Sequence, residues 1–366
     1  MIRIKIRSRL TKSFFVGLSV FVFNVPFASA TIRYNVIDLG TLGGYISEAN
    51  SINASGQIAG KSTVNSANHA FLYTAGAMTD LGTFGGSTSS ANAINSSGQV
   101  VGFANLAGDA TSHAFVYSGA GLTDLGTLGG TYSAAFGINS TGQVAGDSYT
   151  ISGYSHAFLY SGGSMIDLGT FGGFNSFARG INTSGQVVGF ADVTPISSHA
   201  YLYSGGIKND LGTFGGRYSG AFGINDSGQV VGYADTSSGN SHAFLYGGGS
   251  MLDLGTLKGT DSLAFAINAS GQVVGAVTSG GTSIDAFLYS GGIMTDLNTL
   301  ISHAQGWDLL EAASINDSGV IVGFGLIGGY THAFELTAVP EPASASILMV
   351  AGAGVLLRRR GSFENV

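Results

Sequence analysis

A histidine recurs along this chain at His69, His113, His156, His199, His242 and His332, each opening a His-Ala-Phe/Tyr triplet, with Asp285 in the sixth place. Imidazoles in such a series raise one chemistry, a metal ring. A shared ion needs bonds near 2 Å, whereas equivalent positions of successive repeats belong to different structural units. The plainer role is a polar link at a strand start, and Asp285 preserves that role. The partner in reach is the Asp that opens each Asp-Leu-Gly-Thr segment, at Asp38, Asp80, Asp124, Asp167, Asp210 and Asp253, and at Asp296 of Asp296-Leu297-Asn298-Thr299.

A second series is Asn-x-Ser/Thr at Asn53, Asn95, Asn139, Asn182, Asn225, Asn268 and Asn316. Each matches a glycosylation acceptor. Asn followed by Gly is also what tight turns require, and recurrence at one position of every repeat favours the turn. Asn225-Asp226-Ser227-Gly228 and Asn316-Asp317-Ser318-Gly319 are similar to calcium loops, but without the string of carboxylates and the terminal Glu that calcium favours. The Gly-Gly pairs precede no helix with a Lys, so they are not phosphate loops.

Catalytic groups are singular, and here the polar residues are periodic. No catalytic residue, metal ligand or cofactor is therefore assigned, and an enzyme is not expected. What departs from the period is the long insertion at residues 301–311, which holds the only Trp. Trp307, with His303 and Asp308, is the candidate ligand-binding group, because an exposed Trp beside acceptors suits stacking on sugar or on a partner protein. The alternative is that Trp307 packs the sixth unit on the seventh or plugs a channel.

The elements that must position these groups follow from the repeats. The Asp-Leu-Gly-Thr segments are spaced 42, 44, 43, 43, 43 and 43 residues apart. One repeat offers four strand-like runs, as in residues 133–138, 143–145, 156–160 and 165–170, joined by Asn139-Ser140-Thr141-Gly142 and Ser161-Gly162-Gly163 turns. Four strands in ~43 residues is the size of a propeller blade.

The phase of the repeats predicts how they close. An orphan fourth strand, residues 33–41, precedes six complete units, and the chain ends on three strands, the last at 332–336. Pairing 33–41 with 332–336 makes a closed seven-bladed β-propeller, all-β, over residues 31–338. An open solenoid would need capping repeats instead. Closing ~300 residues costs roughly 5 kcal/mol in loop entropy. Burying one large apolar side chain returns ~1.5–3 kcal/mol, and the orphan strand brings Tyr34, Val36, Ile37 and Leu39. The small-residue first strand is expected nearest the axis and the Asp-Leu-Gly-Thr strand outermost. One rim should carry the variable links (61–68, 103–112, 147–155, 190–198, 233–241 and 301–311), and the other the uniform turns.

Units such as His242-Ala243-Phe244-Leu245-Tyr246 and Asp253-Leu254-Gly255-Thr256-Leu257 resemble the HAF family of extracellular repeats, over residues 34–337. That resemblance implies an exported location and no catalytic residues.

The two ends read as addresses. Arg3, Lys5, Arg7, Arg9 and Lys12, an apolar run over 14–23, and the small-residue site Ala28-Ser29-Ala30 form a signal peptide over residues 1–30, cleaved at Ala28 and Ala30. At residues 339–366, Val339-Pro340-Glu341-Pro342, an apolar run over 347–357 and Arg358, Arg359 and Arg360 follow in order. Cations stop at the cytoplasmic face, and the run is short for a stable transmembrane helix. This tail resembles the PEP-CTERM sorting signal of exopolysaccharide-producing Gram-negative bacteria. The resemblance implies transient membrane anchoring and processing by an exosortase-type protease. An uncleaved anchor at either end is the alternative.

Composition narrows the partners. Between the two basic ends, residues 31–343 hold six basic residues (Arg33, Lys61, Arg179, Lys208, Arg217, Lys258) and twenty acidic ones, a net charge near −14. Nucleic acid, which demands a basic patch, is not an expected partner. With no Cys and 23 Phe and 15 Tyr to bury, the chain must hold itself by packing and hydrogen bonds. The leading expectation is an exported, non-enzymatic cell-surface or matrix protein of the exopolysaccharide envelope. A carbohydrate- or protein-binding propeller is the alternative, and a polysaccharide hydrolase or lyase a remote one.

Overall fold

The turn residues of each repeat set where its strands end. In the third, Gly129–Ile138, Val144–Thr150, Ser155–Ser161 and Ser164–Asp167 form four consecutive antiparallel strands. Gly142 closes the first turn at φ +83°, and Gly162 and Gly163 close the last at φ +59° and +83°, conformations that glycine adopts without a Cβ penalty. The strands run longer at the variable rim than the sequence reading had them. The outer strand ends at Asp167 rather than residue 170, because the Asp167 side chain accepts from the Gly169 N–H and turns the chain away.

The computed structural model describes residues 33–279 and 283–339. Among them every element is a strand except two 3-10 turns, Leu297–Leu300 and His303–Gln305, and no helix is long and apolar enough to cross a membrane. The signal-peptide site Ala28 and Ala30, and Pro340, Glu341, Pro342, Arg358, Arg359 and Arg360 of the tail, lie outside the described residues. Val339 is exposed, and its N–H donates to the Arg33 carbonyl at 2.8 Å.

The strands form seven four-stranded units arranged as five sheets, three of four strands and two of eight; no sheet closes on itself. In each eight-stranded sheet, two units meet through one parallel pair, Tyr132 with Ser112 or Ser198 with Tyr218. The expected end-to-end pairing is present. The orphan strand Tyr34–Asp38 runs antiparallel to Tyr330–Ala338, with Val36 opposite Leu336 and Asp38 opposite Phe334. It is shorter than the predicted 33–41, and its partner is longer than 332–336.

The core lies between units. Ala59, Ala70 and Leu81 of one unit pack on Ala91, Val100 and Phe115 of the next. At the chain ends, Leu39, Val322 and Ala333 pack on Ile52, Ile58 and Phe71 in the same way. The Phe or Tyr of each His-Ala-Phe/Tyr triplet is fully buried. It needs a glycine opposite: a Cβ on Gly146 would sit 2.1 Å from the Ala134 carbonyl oxygen and 2.7 Å from the Phe158 ring.

A buried serine stitches each of six units to the one before. Ser89 accepts from the Ala70 N–H and donates to the Gly82 carbonyl. Ser47 does the same with Ala333 and Gly40 across the chain ends.

Candidate functional site

The periodic polar groups are consumed by the fold. His69, His113, His156, His199 and His242 place Nδ1 at 2.7–2.8 Å from Asp80, Asp124, Asp167, Asp210 and Asp253 of the adjoining outer strand. His332 does so at 2.9 Å with Asp38. Each of these Asp residues also accepts from a glycine N–H two residues on. These histidines are spread one to a unit over six of the seven units, and no cluster of three or more His, Asp or Glu able to hold a metal occurs among the described residues. In the sixth unit Asp285 faces Asp296. Burial, then Asp296 and Asp308, push the Asp285 carboxyl above its ordinary range.

The asparagine series is equally occupied. Each Asn side chain is only 3–7% exposed. Its Nδ2 donates to the backbone carbonyl of the next Asn, from Asn53 to Asn95, Asn139, Asn182, Asn225, Asn268 and Asn316, and Asn316 donates to Asn53, at 3.0–3.2 Å throughout. Its Oδ1 caps the turn, as Asn139 does for Thr141 and Gln143. These amides are turn and inter-unit links with no room for a glycan. Asp226 and Asp317, of the calcium-like turns, accept from the backbone of the preceding unit, at Thr183 and Ala269.

Trp307 requires a correction. It is 8% exposed rather than an open stacking surface, and it packs edge-on against Phe334 with ring centroids 6.1 Å apart. Leu297, Leu300 and Leu309 complete its surroundings, so it packs the sixth unit on the seventh. The reason is the insertion itself. The turns Leu297–Leu300 and His303–Gln305 fold back and bring Trp307–Ile315 into the sheet as the seventh unit's first strand. His303 and Asp308 stay exposed beside it.

The groups that break the period elsewhere converge on one cavity of about 660 Å³. In every unit the first strand carries a β-bulge two residues before its isoleucine. A bulge re-aims one side chain. The bulged residues are Asn50, Asn92, Phe136, Arg179, Phe222, Phe265 and Ala313, and all seven line the cavity.

Arg179 stacks 4.0 Å from the centroid of the Phe136 ring and is held by Asp147 at 2.6 Å. Lys61 pairs with Glu48 at 2.9 Å. Glu311 also faces the cavity. Burial first, then the Glu48 charge, push its carboxyl up to about 7, with Lys61 opposing. Below, Ile94, Ile138, Ile181, Ile224, Ile267 and Ile315 form a collar shared with a second cavity of about 330 Å³ at the asparagine turns. Sequence reasoning missed this site. Its signal was the position two before each isoleucine, which varies between Asn, Phe, Arg and Ala inside an otherwise small-residue strand.

The rim of the variable links carries exposed aromatic pairs at two unit boundaries. Tyr45 stacks on Tyr330 at 5.4 Å, and Tyr154 on Phe174 at 4.9 Å. These four rings are 71%, 51%, 41% and 48% exposed.

No protein-family model and no curated protein matches the chain. Among solved structures it is similar to TolB from Acinetobacter baumannii (12% identity, 73% of this chain and 76% of that one, TM-score 0.45). It is also similar to a mutant Aleuria aurantia lectin in complex with Fucα1-6GlcNAc (12% identity, 85% and 95%, TM-score 0.38). Likenesses this distant bear on neither ligand nor activity.

Proposed function

We propose that this chain is an exported, non-enzymatic surface protein, a seven-bladed β-propeller of HAF-type repeats whose variable rim binds carbohydrate of the surrounding envelope. Closure of the ring is supported by the pairing of Tyr34–Asp38 with Tyr330–Ala338 and by the Asn316-to-Asn53 link. Export and sorting follow from the signal peptide and the PEP-CTERM-like tail, with an exosortase-type protease as the processing partner. Mass spectrometry of the secreted protein tests that part: a mature chain beginning at Thr31 and lacking the Arg358–Arg360 tail agrees with it.

The observation that carries the binding reading is the pair of exposed aromatic stacks, Tyr45–Tyr330 and Tyr154–Phe174, on one rim. Exposed aromatic faces pack well against the C–H face of a sugar ring, and aromatic anchors dominate binding surfaces. With acidic residues in excess over basic ones, a neutral polysaccharide suits the surface better than an acidic one. The test is a glycan array with the intact protein, followed by binding to isolated exopolysaccharide. Retention on neutral polysaccharide that is lost in the Tyr45→Ala/Tyr154→Ala double variant supports the reading. A blank array and no retention return the protein to a scaffold role.

A further inference from the structure

A cavity that only had to be filled would be filled the same way seven times, as the isoleucine collar is. The bulged ring just above the collar is not. Asn50 and Asn92 come from adjacent units, each donating its Nδ2 to the backbone of the next at Ala91 and Ala135, and Phe222 and Phe265 come from another adjacent pair. Phe222 and Phe265 lie with centroids 5.6 Å apart, so they form one continuous aromatic wall. The cavity thus has an aromatic wall and a separate amide pair, and its about 660 Å³ falls within the ~300–1,000 Å³ of small-molecule sites.

Charge selects the ligand further. The Arg179 guanidinium is engaged by Asp147, and the Lys61 ammonium by Glu48. Each cation already has a carboxylate partner, so an anionic ligand gains less from it than from an unpaired one. The remaining ionisable group is the Glu311 carboxyl, which has no hydrogen bond from the protein among the described residues and is faced by Glu48 and Lys61. It is available to hydroxyl groups.

We propose that this cavity binds a single neutral sugar ring, its C–H face on Phe222 and Phe265 and its hydroxyls toward Asn50, Asn92 and Glu311. This site shares no residue with the aromatic stacks of the rim, so it stands or falls separately from them.

Covering the cavity removes the water that solvates an ionised Glu311, so binding favours its protonated form. Affinity is then expected to weaken as pH rises above about 7, by up to about tenfold per pH unit for one linked proton.

The experiment is ligand-observed NMR and calorimetry on the intact protein, with methyl glycosides of neutral hexoses, 6-deoxyhexoses and N-acetylhexosamines as probes, and glucuronic acid as the anionic control. One neutral glycoside is expected to bind with 1:1 stoichiometry. Phe222→Ala should weaken it at least tenfold, while Asp124→Ala, on an outer strand away from the cavity lining, should leave it unchanged. Ala313→Phe, which fills the cavity instead of emptying it, should abolish binding even if Phe222→Ala does not fold. Glu311→Gln should keep the affinity and flatten its pH dependence. The proposal is overturned if no neutral glycoside binds, if binding survives Ala313→Phe, or if glucuronic acid binds as tightly.

Discussion

His332 Nδ1 lies 2.9 Å from Asp38 Oδ2, joining side chains 294 positions apart in the same geometry that His113 and Asp124 adopt 11 positions apart. The fold therefore treats its two ends as one more repeat. Both partners are partly exposed, with the Asp38 side chain at 38%, and such pairs contribute only ~0–1 kcal/mol. Asp38→Ala should accordingly cost little more than Asp124→Ala. Deleting residues 33–38 removes the buried Tyr34 and Val36 and uncovers the edge of Tyr330–Ala338. At ~1.5–3 kcal/mol per buried side chain, that deletion should cost about 3–6 kcal/mol. Urea unfolding of the three variants separates the contributions. Equal losses in all three would mean that the His–Asp contact, and not strand burial, joins the ends.

Asn139→Ala should be among the most damaging polar substitutions. It strips the Asn182 carbonyl of its donor and the Thr141 and Gln143 N–H groups of their acceptor. Unpartnered buried groups cost ~1–3 kcal/mol each, so a loss of about 3 kcal/mol is expected from chemical denaturation. Asn139→Asp should not rescue it, because Asp keeps the acceptor but cannot donate to Asn182 or Gln143.

Trp307→Ala should read out as stability rather than recognition. The ring is 8% exposed, against Phe334, and emptying an aromatic core site costs ~3–5 kcal/mol. A thermal melt should show the loss directly. A variant that melts like the parent would contradict the buried placement.

Glu311 gives stability a pH dependence of known sign. Its carboxyl rises from an ordinary 4.5 to about 7 in the folded chain. Between those values the folded state holds a proton that the unfolded state has released. The contribution is complete below about 4.5 and is lost as pH rises through about 7. At ~1.4 kcal/mol per pK unit, the full swing from 4.5 to about 7 is about 3–4 kcal/mol. Glu311→Gln should therefore gain on the parent between pH 5 and pH 8, measured as the difference in denaturant midpoint. A constant offset across that range would place Glu311 in contact with solvent.

The period, the four strands of each unit, the orphan strand and its partner, and the pairing of the repeated His with the repeated Asp were all legible in the chain. The units are local patterns copied along the chain, and copying averages away the ambiguity of any single short strand; the orphan strand is legible as the piece that the incomplete last copy lacks. The asparagine turns were legible for the same reason, since a position that is always Asn-x-Ser/Thr-Gly or Asn-x-Ser-Gly must answer to backbone geometry.

Direction and depth were not legible, because both depend on neighbours distant in sequence. Strict alternation assigns residues to the two faces of a strand, and a bulge before each isoleucine resets that alternation. Only the folded sheet shows that Asn50, Phe136, Arg179 and Phe222 turn inward to one cavity. Trp307, conspicuous as the only Trp, left two readings open in the sequence, and only its burial by Leu297, Leu300 and Phe334 selects packing between units over an open stacking surface. Local repetition settled what the units are; packing between units decided which side chains remain free to meet a ligand.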